Sequence, residues 1–238
     1  MSETETHLRK GSEFPQKIDD RLRLYSTKYC PYAQRVRIVL ALKDIPYEIV
    51  NLSIFDKPEW IYKLNPLGQV PIFDTGLAVL TESLLICNYL DEVFLEPPLH
   101  SKITEERDHD SVLLKEFDDL LFIYYKVLHN PDLDDFLELL THVRKYEDEL
   151  SKRGKYFGGD EPRMIDFMFW PWAERAPMFE KLFPGKVPDA KTLPHLYSWC
   201  AKMREHPVLI KTKTNVDSQT LIYDMIRSGK SKEVDFDI

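Results

Sequence analysis

The apolar pattern of this chain changes its period once along its length. Between residues 22 and 94, short runs with an alternating pattern are interspersed with segments of helical period. They follow the order β-α-β and then β-β-α, which Glu96-Pro97-Pro98 interrupts, and after residue 103 only the helical period is found. This change predicts an α/β domain followed by an all-helical bundle.

Domain boundaries follow from the same pattern. We predict an arm at 1–20, the α/β domain at 21–95, a linker at 96–103 and the helical domain at 104–238. The arm is polar and has no apolar stretch of the kind found in a signal peptide, so we expect it to be flexible and loosely ordered.

Composition excludes several classes of protein. The 238 residues carry 40 acidic and 32 basic side chains, a formal net charge of -8, which disfavours binding to nucleic acid. Three cysteines are too few for the disulfide framework of a small secreted domain. No stretch approaches the roughly 20 apolar residues of a membrane helix. We therefore expect a cytoplasmic protein without stable membrane insertion.

A cysteine followed by a proline stands where the first strand pattern changes into a helix pattern. Leu22 and Leu24 alternate with arginines, and the stretch YCPYA precedes the helical QRVRIVLALK. Pro31 suits the first helical position, where a missing N–H costs no hydrogen bond. The pattern predicts Cys30 at a helix N-terminus, where the dipole and free N–H groups favour the nucleophilic thiolate.

The residue three positions after Cys30 is Ala33, where a Cys-x-x-Cys redox site has its second thiol. A mixed disulfide formed at Cys30 therefore has to be resolved by a thiol from another molecule. Glutathione is the abundant cytosolic candidate.

Several residues have the chemistry that a site for this tripeptide needs. Val70-Pro71 is a candidate cis peptide that would present the N–H and C=O of Val70 to a peptide ligand. Glu82 and Ser83 begin a helix whose free N–H groups could receive a carboxylate, and Glu82 could hold the γ-glutamyl amine. Plain helix capping by Thr81 is the alternative explanation of that stretch. Lys57 could pair with the glycyl carboxylate, although a solvated lysine is the more common case.

From about residue 20 to residue 230, the chain resembles the omega class of glutathione transferases. The resemblance rests on the closing helix and on four stretches: YSTKYCPYAQRVRIVLALK, DKPEWIYKLNPLGQVP, LTESLLICNYLDE and YFGGDEPRMIDFMFWPWAER. It implies the glutathione transferase fold, in which a thioredoxin-like domain precedes a helical domain. It also implies assembly as a homodimer.

The resemblance further implies site residues and an activity. Cys30 is expected to be the catalytic residue, with glutathione as co-substrate and no metal. The implied glutathione contacts are Lys57, Val70, Pro71, Glu82 and Ser83. The implied residues of the electrophile cleft are Tyr32, Trp172 and Arg175. The expected activities are thiol transfer and the reduction of dehydroascorbate and methylated arsenic acids, with only weak conjugation.

Two positions depart from the family pattern. The helix after Gly158-Gly159 usually opens with Ser or Thr three residues before its Asp, whereas this chain has Arg163 before Asp166. We expect either a weaker cap or Asp166 reaching back alone. The last segment, KTKTNVDSQTLIYDMI, lacks the tryptophan that family members often present to the electrophile, so it does not indicate a substrate.

Three alternative functions are compatible with parts of the pattern. Chloride intracellular channel proteins share the two-domain plan and the Cys-Pro site, but the charges and Pro46 within residues 36–50 make insertion costly. Transferase-like assembly modules need no reactive thiol. Conjugation by a hydroxyl of Tyr25 or Ser26 is disfavoured by a cysteine at the helix start.

Cys87 and Cys200 are expected to be buried packing residues.

Overall fold

The computed structural model describes residues 2–3, 6–17, 21–234 and 236. The chain divides into two compact units. The first unit comprises Met1–Pro97 together with Ser228–Ile238, and the second unit comprises Pro98–Arg227. The boundary falls inside the predicted linker, but the end of the chain belongs to the first unit rather than to the helical domain.

A five-stranded mixed sheet forms the centre of the first unit. Its strands are β1 (Ser2–Glu3), β2 (Leu22–Ser26), β3 (Tyr47–Asn51), β4 (Ile72–Asp74) and β5 (Val79–Thr81). They lie in the order β1-β3-β2-β4-β5, with β2 parallel to β3 and β4 antiparallel to both β2 and β5. The predicted β-α-β and β-β-α order is therefore confirmed.

Three helices accompany this sheet: α1 (Pro31–Leu42), α2 (Ile61–Leu64) and α3 (Ser83–Val93). The helices α1 and α3 pack against each other. Their buried apolar residues include Val39 on α1 and Ile86 and Leu90 on α3, which lie at helical spacing. This packing gives both helices a fixed position in the first unit.

A cluster of buried residues lies next to the position of Val70. Tyr25, Trp60 and Ile72 belong to its centre, and the partly buried side chain of Val70 packs against it. Leu8 from the N-terminal segment packs against the same cluster. The loop that contains Val70 is therefore anchored to the core by its side chain.

Residues 6–17 make defined contacts, so the expectation of loose order does not hold for them. Leu8 forms a bridge to Leu52, and the indole N–H of Trp60 donates to Ser12 O at 3.0 Å. The buried guanidinium of Arg23 pairs with Glu48 at 2.8 Å and also donates to carbonyl oxygens of residues 15 and 16. A buried arginine needs acceptors for its five N–H groups, and this segment supplies two of them. The rest of the predicted arm, apart from Ser2–Glu3 in β1, lies outside the described residues.

The end of the chain also contacts the first unit. Arg9 Nη2 donates to Val234 O at 3.4 Å. The ring of Phe236 lies 5.3 Å from the ring of His7 and 5.8 Å from that of Phe55, measured between centroids. Because of these contacts, the end of the chain belongs to the first unit, and the predicted helical domain 104–238 is longer than the second unit.

The second unit is helical throughout, as predicted. Its helices are α4 (Thr104–His129), α5 (Leu133–Arg153), α6 (Met164–Arg175), α7 (Met178–Leu182), α8 (Pro194–Glu205), α9 (Pro207–Thr212) and α10 (Val216–Arg227). Aromatic side chains fill its centre, with Phe117 and Phe169 4.6 Å apart between ring centroids. None of the helices in the described part of the chain is both long and apolar enough to cross a membrane.

The N-terminus of α6 is capped by Asp166, although Arg163 stands where the family pattern has Ser or Thr. Asp166 Oδ2 accepts the backbone N–H of Arg163 at 2.9 Å, and an arginine side chain has no acceptor with which to return the bond. The same carboxylate accepts the N–H groups of Phe157 and Gly158, each at 2.8 Å. Asp166 therefore caps the helix alone and also ties it to the preceding turn.

Candidate active site around Cys30

Cys30 occupies the N-cap position of α1, as the sequence predicts. Its backbone is extended, with φ -72° and ψ 119°, and its carbonyl oxygen accepts the N–H of Gln34 at 3.0 Å. The side chain is half-buried. Because the first N–H groups of a helix have no acceptor inside it, this position lies at the positive end of the helix dipole. The position favours a thiolate.

Pro31 and Ala33, which follow Cys30 in the chain, have separate roles. Pro31 begins the helix, and its missing N–H leaves no donor unsatisfied there. Ala33 is fully buried, so the place of a second thiol is occupied by a methyl group inside the first unit. The local geometry therefore leaves Cys30 without a resolving cysteine at the usual spacing.

The backbone of the loop before Cys30 is held by two side chains that the sequence analysis did not select. Arg37 donates to Ser26 Oγ at 2.8 Å, to Thr27 O at 3.2 Å and to Lys28 O at 2.9 Å. His7 Nε2 accepts the N–H of Lys28 at 3.1 Å. The spacing of seven residues between Cys30 and Arg37 places them on one helix face and could have indicated Arg37. No pattern in the sequence indicates His7.

Val70 is brought next to Cys30, as the proposed glutathione site requires. Cys30 Sγ lies 3.8 Å from Val70 O, within the range of a thiol hydrogen bond, and the Val70-Pro71 peptide bond is cis. The turn before Val70 is organised by Asn65, whose side chain donates to Gln69 O at 3.0 Å and accepts the N–H of Leu67 at 3.1 Å. The N–H of Val70 donates to no other residue in the described part of the chain.

The N-terminus of α3 begins one residue later than the capping alternative supposes. Thr81 is the last residue of β5, and Glu82 is the N-cap without a side-chain capping bond. Ser83 is buried, and its hydroxyl accepts a hydrogen bond from the buried Arg35 at 3.3 Å. Capping by Thr81 is therefore wrong, and a positive charge lies next to the helix start.

Glu82 has an unusual backbone conformation. Its φ is 68° and its ψ is 115°, in a region that residues other than glycine rarely adopt. Its side chain is exposed. A conformation of this kind costs of order 1–3 kcal/mol and persists where the surrounding structure imposes it, often at ligand sites.

Lys57 lies in the loop between β3 and α2 and is half-buried. It has no hydrogen-bond or ion-pair partner among the residues that the structure describes. Its cation is therefore available to an anion, and its assignment to the glycyl carboxylate stays a prediction.

The hydroxyl groups of Tyr25 and Ser26 are engaged inside the first unit. Both residues are fully buried. Ser26 Oγ accepts from Arg37 at 2.8 Å, and Tyr25 accepts from Arg23 at 3.4 Å. Burial raises the pKa of Tyr25 above its usual value, which opposes ionisation. Neither hydroxyl is placed to activate a thiol in solvent.

The three residues predicted for the electrophile cleft come from different units. Tyr32 is half-buried on α1 in the first unit. Trp172, on α6 in the second unit, is 2% exposed and donates its indole N–H to Tyr125 Oη at 3.2 Å. Arg175 is also 2% exposed and donates to Pro171 O. Their contact with a substrate stays a prediction.

The other two cysteines differ from each other. Cys87 is fully buried, and burial raises its pKa to about 12, so its prediction as a packing residue is confirmed. Cys200 is only partly covered and lines a cavity of the second unit. Among the described residues, no group of three or more His, Cys, Asp or Glu side chains is arranged to hold a metal ion.

Comparison with known proteins shows the family to which the chain is similar. The chain matches the family models "Glutathione S-transferase, N-terminal domain" over residues 24–98 and "Glutathione S-transferase, C-terminal domain" over residues 133–202. It is 40% identical over 212 residues to the pyrimidodiazepine synthase of Drosophila melanogaster, with 86% of each chain covered. It is 32% identical over 224 residues to glutathione S-transferase omega-1 of Mus musculus, with 92% of this chain and 90% of that protein covered.

A solved structure supports the fold assignment. Glutathione transferase Omega 3C from Trametes versicolor matches with a TM-score of 0.77 at 21% identity, covering 91% of this chain and 94% of that chain. The glutathione transferase fold, with a thioredoxin-like domain before a helical domain, is therefore confirmed. With both family models matched and an omega-class relative aligned over most of the chain, the protein belongs to the omega class of the glutathione transferase family.

Proposed function

We propose that the protein is a glutathione-dependent thiol transferase and dehydroascorbate reductase that acts through a mixed disulfide between Cys30 and glutathione. The observation that carries this proposal is the thiol of Cys30 at the start of α1, with the buried Ala33 in place of a second cysteine. A thiol in this position is suited to exchange with an external thiol and not to forming a disulfide with a neighbour.

The reaction on a glutathionylated disulfide has two exchange steps. First, the Cys30 thiolate attacks the glutathionyl sulfur, the disulfide of the substrate breaks, and its other thiolate leaves and takes up a proton. Second, the thiolate of a glutathione molecule attacks the glutathionyl sulfur on Cys30, which releases oxidised glutathione and restores the Cys30 thiolate. With dehydroascorbate, two glutathione molecules supply the two electrons and two protons that form ascorbate.

Val70 supports the binding of glutathione by its backbone. Among the described residues, its N–H has no acceptor, and its carbonyl oxygen accepts only from the thiol of Cys30, at 3.8 Å. When Cys30 ionises, it can no longer donate to this oxygen. Both backbone groups of Val70 then become available to an extended peptide ligand, as in pairing with a strand edge.

The N-terminus of α3 is proposed to hold the γ-glutamyl end of glutathione. The first N–H groups of this helix and the adjacent cation of Arg35 favour a carboxylate, while the exposed carboxylate of Glu82 favours an ammonium group. The uncommon backbone conformation of Glu82 is consistent with a ligand-binding role. At the other end of the tripeptide, we assign Lys57 to the glycyl carboxylate.

A cysteine in this position favours reduction over conjugation. An enzyme that uses a hydroxyl stabilises the thiolate of glutathione by donating a hydrogen bond to it. The thiolate of Cys30 cannot donate such a bond and would repel a second thiolate. We therefore expect high thiol transferase and dehydroascorbate reductase activity and low conjugation of aryl halides.

The test compares both activities in wild type, Cys30→Ser and Cys30→Ala, with glutathione affinity measured separately. Both variants should lose thiol transfer, and Cys30→Ser alone should gain conjugating activity because its hydroxyl can donate. Treatment of wild type with oxidised glutathione should give one glutathionyl adduct by intact mass, which is absent from Cys30→Ala. Retention of most thiol transfer in Cys30→Ser would exclude Cys30 as the nucleophile.

A second candidate function comes from one relative. The 40% identity to the pyrimidodiazepine synthase of Drosophila melanogaster supports the formation of a pyrimidodiazepine by this chain as well. Parallel assays of the two proteins under the conditions that give product with the fly enzyme test this candidate. A lack of product with this chain would remove it and would leave the thiol transferase proposal intact.

The non-catalytic alternatives are separated by simple measurements. An assembly module would show neither glutathionylation nor turnover, whereas a channel-like protein would associate with lipid vesicles in a sedimentation assay.

We also propose a homodimer, in line with the resemblance to omega-class transferases. Analytical ultracentrifugation tests it, and a monomer over the working concentration range would contradict it.

A further inference from the structure

The second unit contains a cavity of about 440 Å³, which is within the size range of small-molecule sites. Its lining residues come from α4 to α8 and from the segments that connect α5 to α6, α6 to α7 and α7 to α8. They are mainly aromatic and aliphatic, and they include Phe136, Phe179 and Trp199. A cavity with such walls excludes ions from its interior and favours an apolar ligand body.

Two charged side chains, Glu180 and Arg204, line this cavity, and both are exposed. Glu180 Oε1 accepts the N–H of Gly185 at 2.8 Å. Arg204 is exposed at the end of α8 and has no hydrogen-bond or ion-pair partner among the described residues. The cavity therefore combines apolar walls with a cation that is available to a ligand.

Cys200 lies on the same wall, one helical turn before Arg204. Burial raises the pKa of its thiol to about 11, although the charge of Arg204 acts in the opposite direction. The thiol is thus neutral near pH 7 and does not compete with a ligand for the guanidinium. It behaves as a small apolar part of the wall.

We propose that this cavity binds an amphipathic carboxylate, with its apolar chain between the helices and its carboxylate on Arg204. The carboxylate of the ligand forms an ion pair with the guanidinium of Arg204. Its apolar chain moves out of water into a cavity with apolar walls, which is favourable. The inference does not depend on the proposed thiol transfer. Trp172 is the one residue of the predicted electrophile cleft that also lines the cavity.

Isothermal titration calorimetry with sodium dodecanoate below its micellar concentration is the direct test. Wild type should bind one molecule per chain, butyrate should bind far more weakly because its chain is short, and dodecan-1-ol should bind more weakly because it lacks the charge. Arg204→Gln should weaken dodecanoate about fivefold, the upper end for a solvent-exposed ion pair. Arg204→Lys should restore most of the affinity.

Lys202→Gln is the matched control, because Lys202 is a cation on the same helix that does not line the cavity. It should bind dodecanoate like wild type. Circular dichroism should show unchanged helix content in all three variants, since Arg204 is exposed and has no partner among the described residues, and the hydrogen bonds of Lys202 go only to Ser198 on the same helix.

The alkylation rate of Cys200 shows whether the ligand binds in this cavity. In a Cys30→Ser background, dodecanoate should slow the alkylation of Cys200 by N-ethylmaleimide in proportion to occupancy. An absence of binding, or binding that leaves both the Arg204→Gln affinity and the Cys200 rate unaffected, would overturn the proposal. Competitive inhibition of thiol transfer by dodecanoate that leaves the alkylation rate of Cys200 unchanged would also overturn it, because the ligand would then occupy the substrate cleft and not this cavity.

Discussion

Trp199 donates its indole N–H to Asp166 Oδ1 at 2.8 Å, and both side chains are buried in the second unit. Asp166 thereby accepts four N–H donors, three of them from the backbone. They connect the start of α6, the turn before it and α8. The relationship makes one carboxylate responsible for holding three parts of the second unit together.

Replacement of Asp166 by Ala is expected to destabilise the protein by more than about 3 kcal/mol, because it leaves several buried donors without an acceptor. Trp199→Phe removes only one donor and keeps most of the ring, so it should cost about 1–2 kcal/mol. Urea unfolding followed by circular dichroism measures both. Equal losses in the two variants would mean that the aromatic packing of Trp199, and not the carboxylate, provides the stability.

The titration of Asp166 should appear in the pH dependence of stability. Burial raises its pKa from 3.8 to about 6, although its four donors act in the opposite direction. Between these two values the folded state binds the proton more tightly than the unfolded state does. The contribution of Asp166 to stability therefore falls as pH rises towards 6 and is constant above it.

The comparison with Asp166→Asn isolates this effect, since the amide does not titrate. The unfolding free energy of wild type minus that of Asp166→Asn should decrease from pH 4.5 to pH 6 and then level off. A difference that increases with pH over this interval would show that the four donors outweigh burial and depress the pKa.

Cys30 should titrate below the ~8.5 of a free cysteine, because it lies at the N-terminus of α1. The rate of alkylation by iodoacetamide, measured by mass spectrometry of the Cys30 peptide, should reach half its maximum below that pH. Cys200, with a pKa raised to about 11, is the internal control and should react slowly at neutral pH. A midpoint for Cys30 at or above ~8.5 would contradict the thiolate argument.

Loss of the acceptor on His7 should loosen the loop before Cys30, because the N–H of Lys28 donates to His7 Nε2. His7→Phe keeps a ring next to Phe236 but removes the acceptor, whereas His7→Gln can retain it. Amide exchange at Lys28 should become about fivefold faster in His7→Phe, which corresponds to a hydrogen bond of about 1 kcal/mol. Unchanged exchange in His7→Phe would show that Arg37 alone holds the loop.

Local chemistry explains why the position of Cys30 could be predicted. A strand pattern, a proline and a helix pattern follow each other within a few residues, so the start of α1 depends on neighbouring residues only. The two-domain plan was equally accessible, because the hydrophobic period reflects which faces of each segment are buried. The candidate glutathione residues came from local turn and helix-start chemistry and from the family resemblance.

Contacts between residues that are far apart in the sequence could not be predicted from local patterns. The flexible arm was expected from its polar composition, yet the carbonyl oxygens of residues 15 and 16 satisfy the buried guanidinium of Arg23. In the same way, the backbone conformation of Glu82 follows from its place between β5 and α3 and not from its residue type, which disfavours a positive φ.

The order of elements, the helix start at Pro31 and the lack of a second thiol at Ala33 could be read from local residue patterns. The distance of 3.8 Å between Val70 O and Cys30 Sγ, the hydrogen bonds of His7 and Arg37 to the loop before Cys30, and the capping of α6 by Asp166 alone could be seen only in the folded chain. Propensities and periodicities act over a few residues, whereas buried donors bind whichever acceptors the packed chain brings to them.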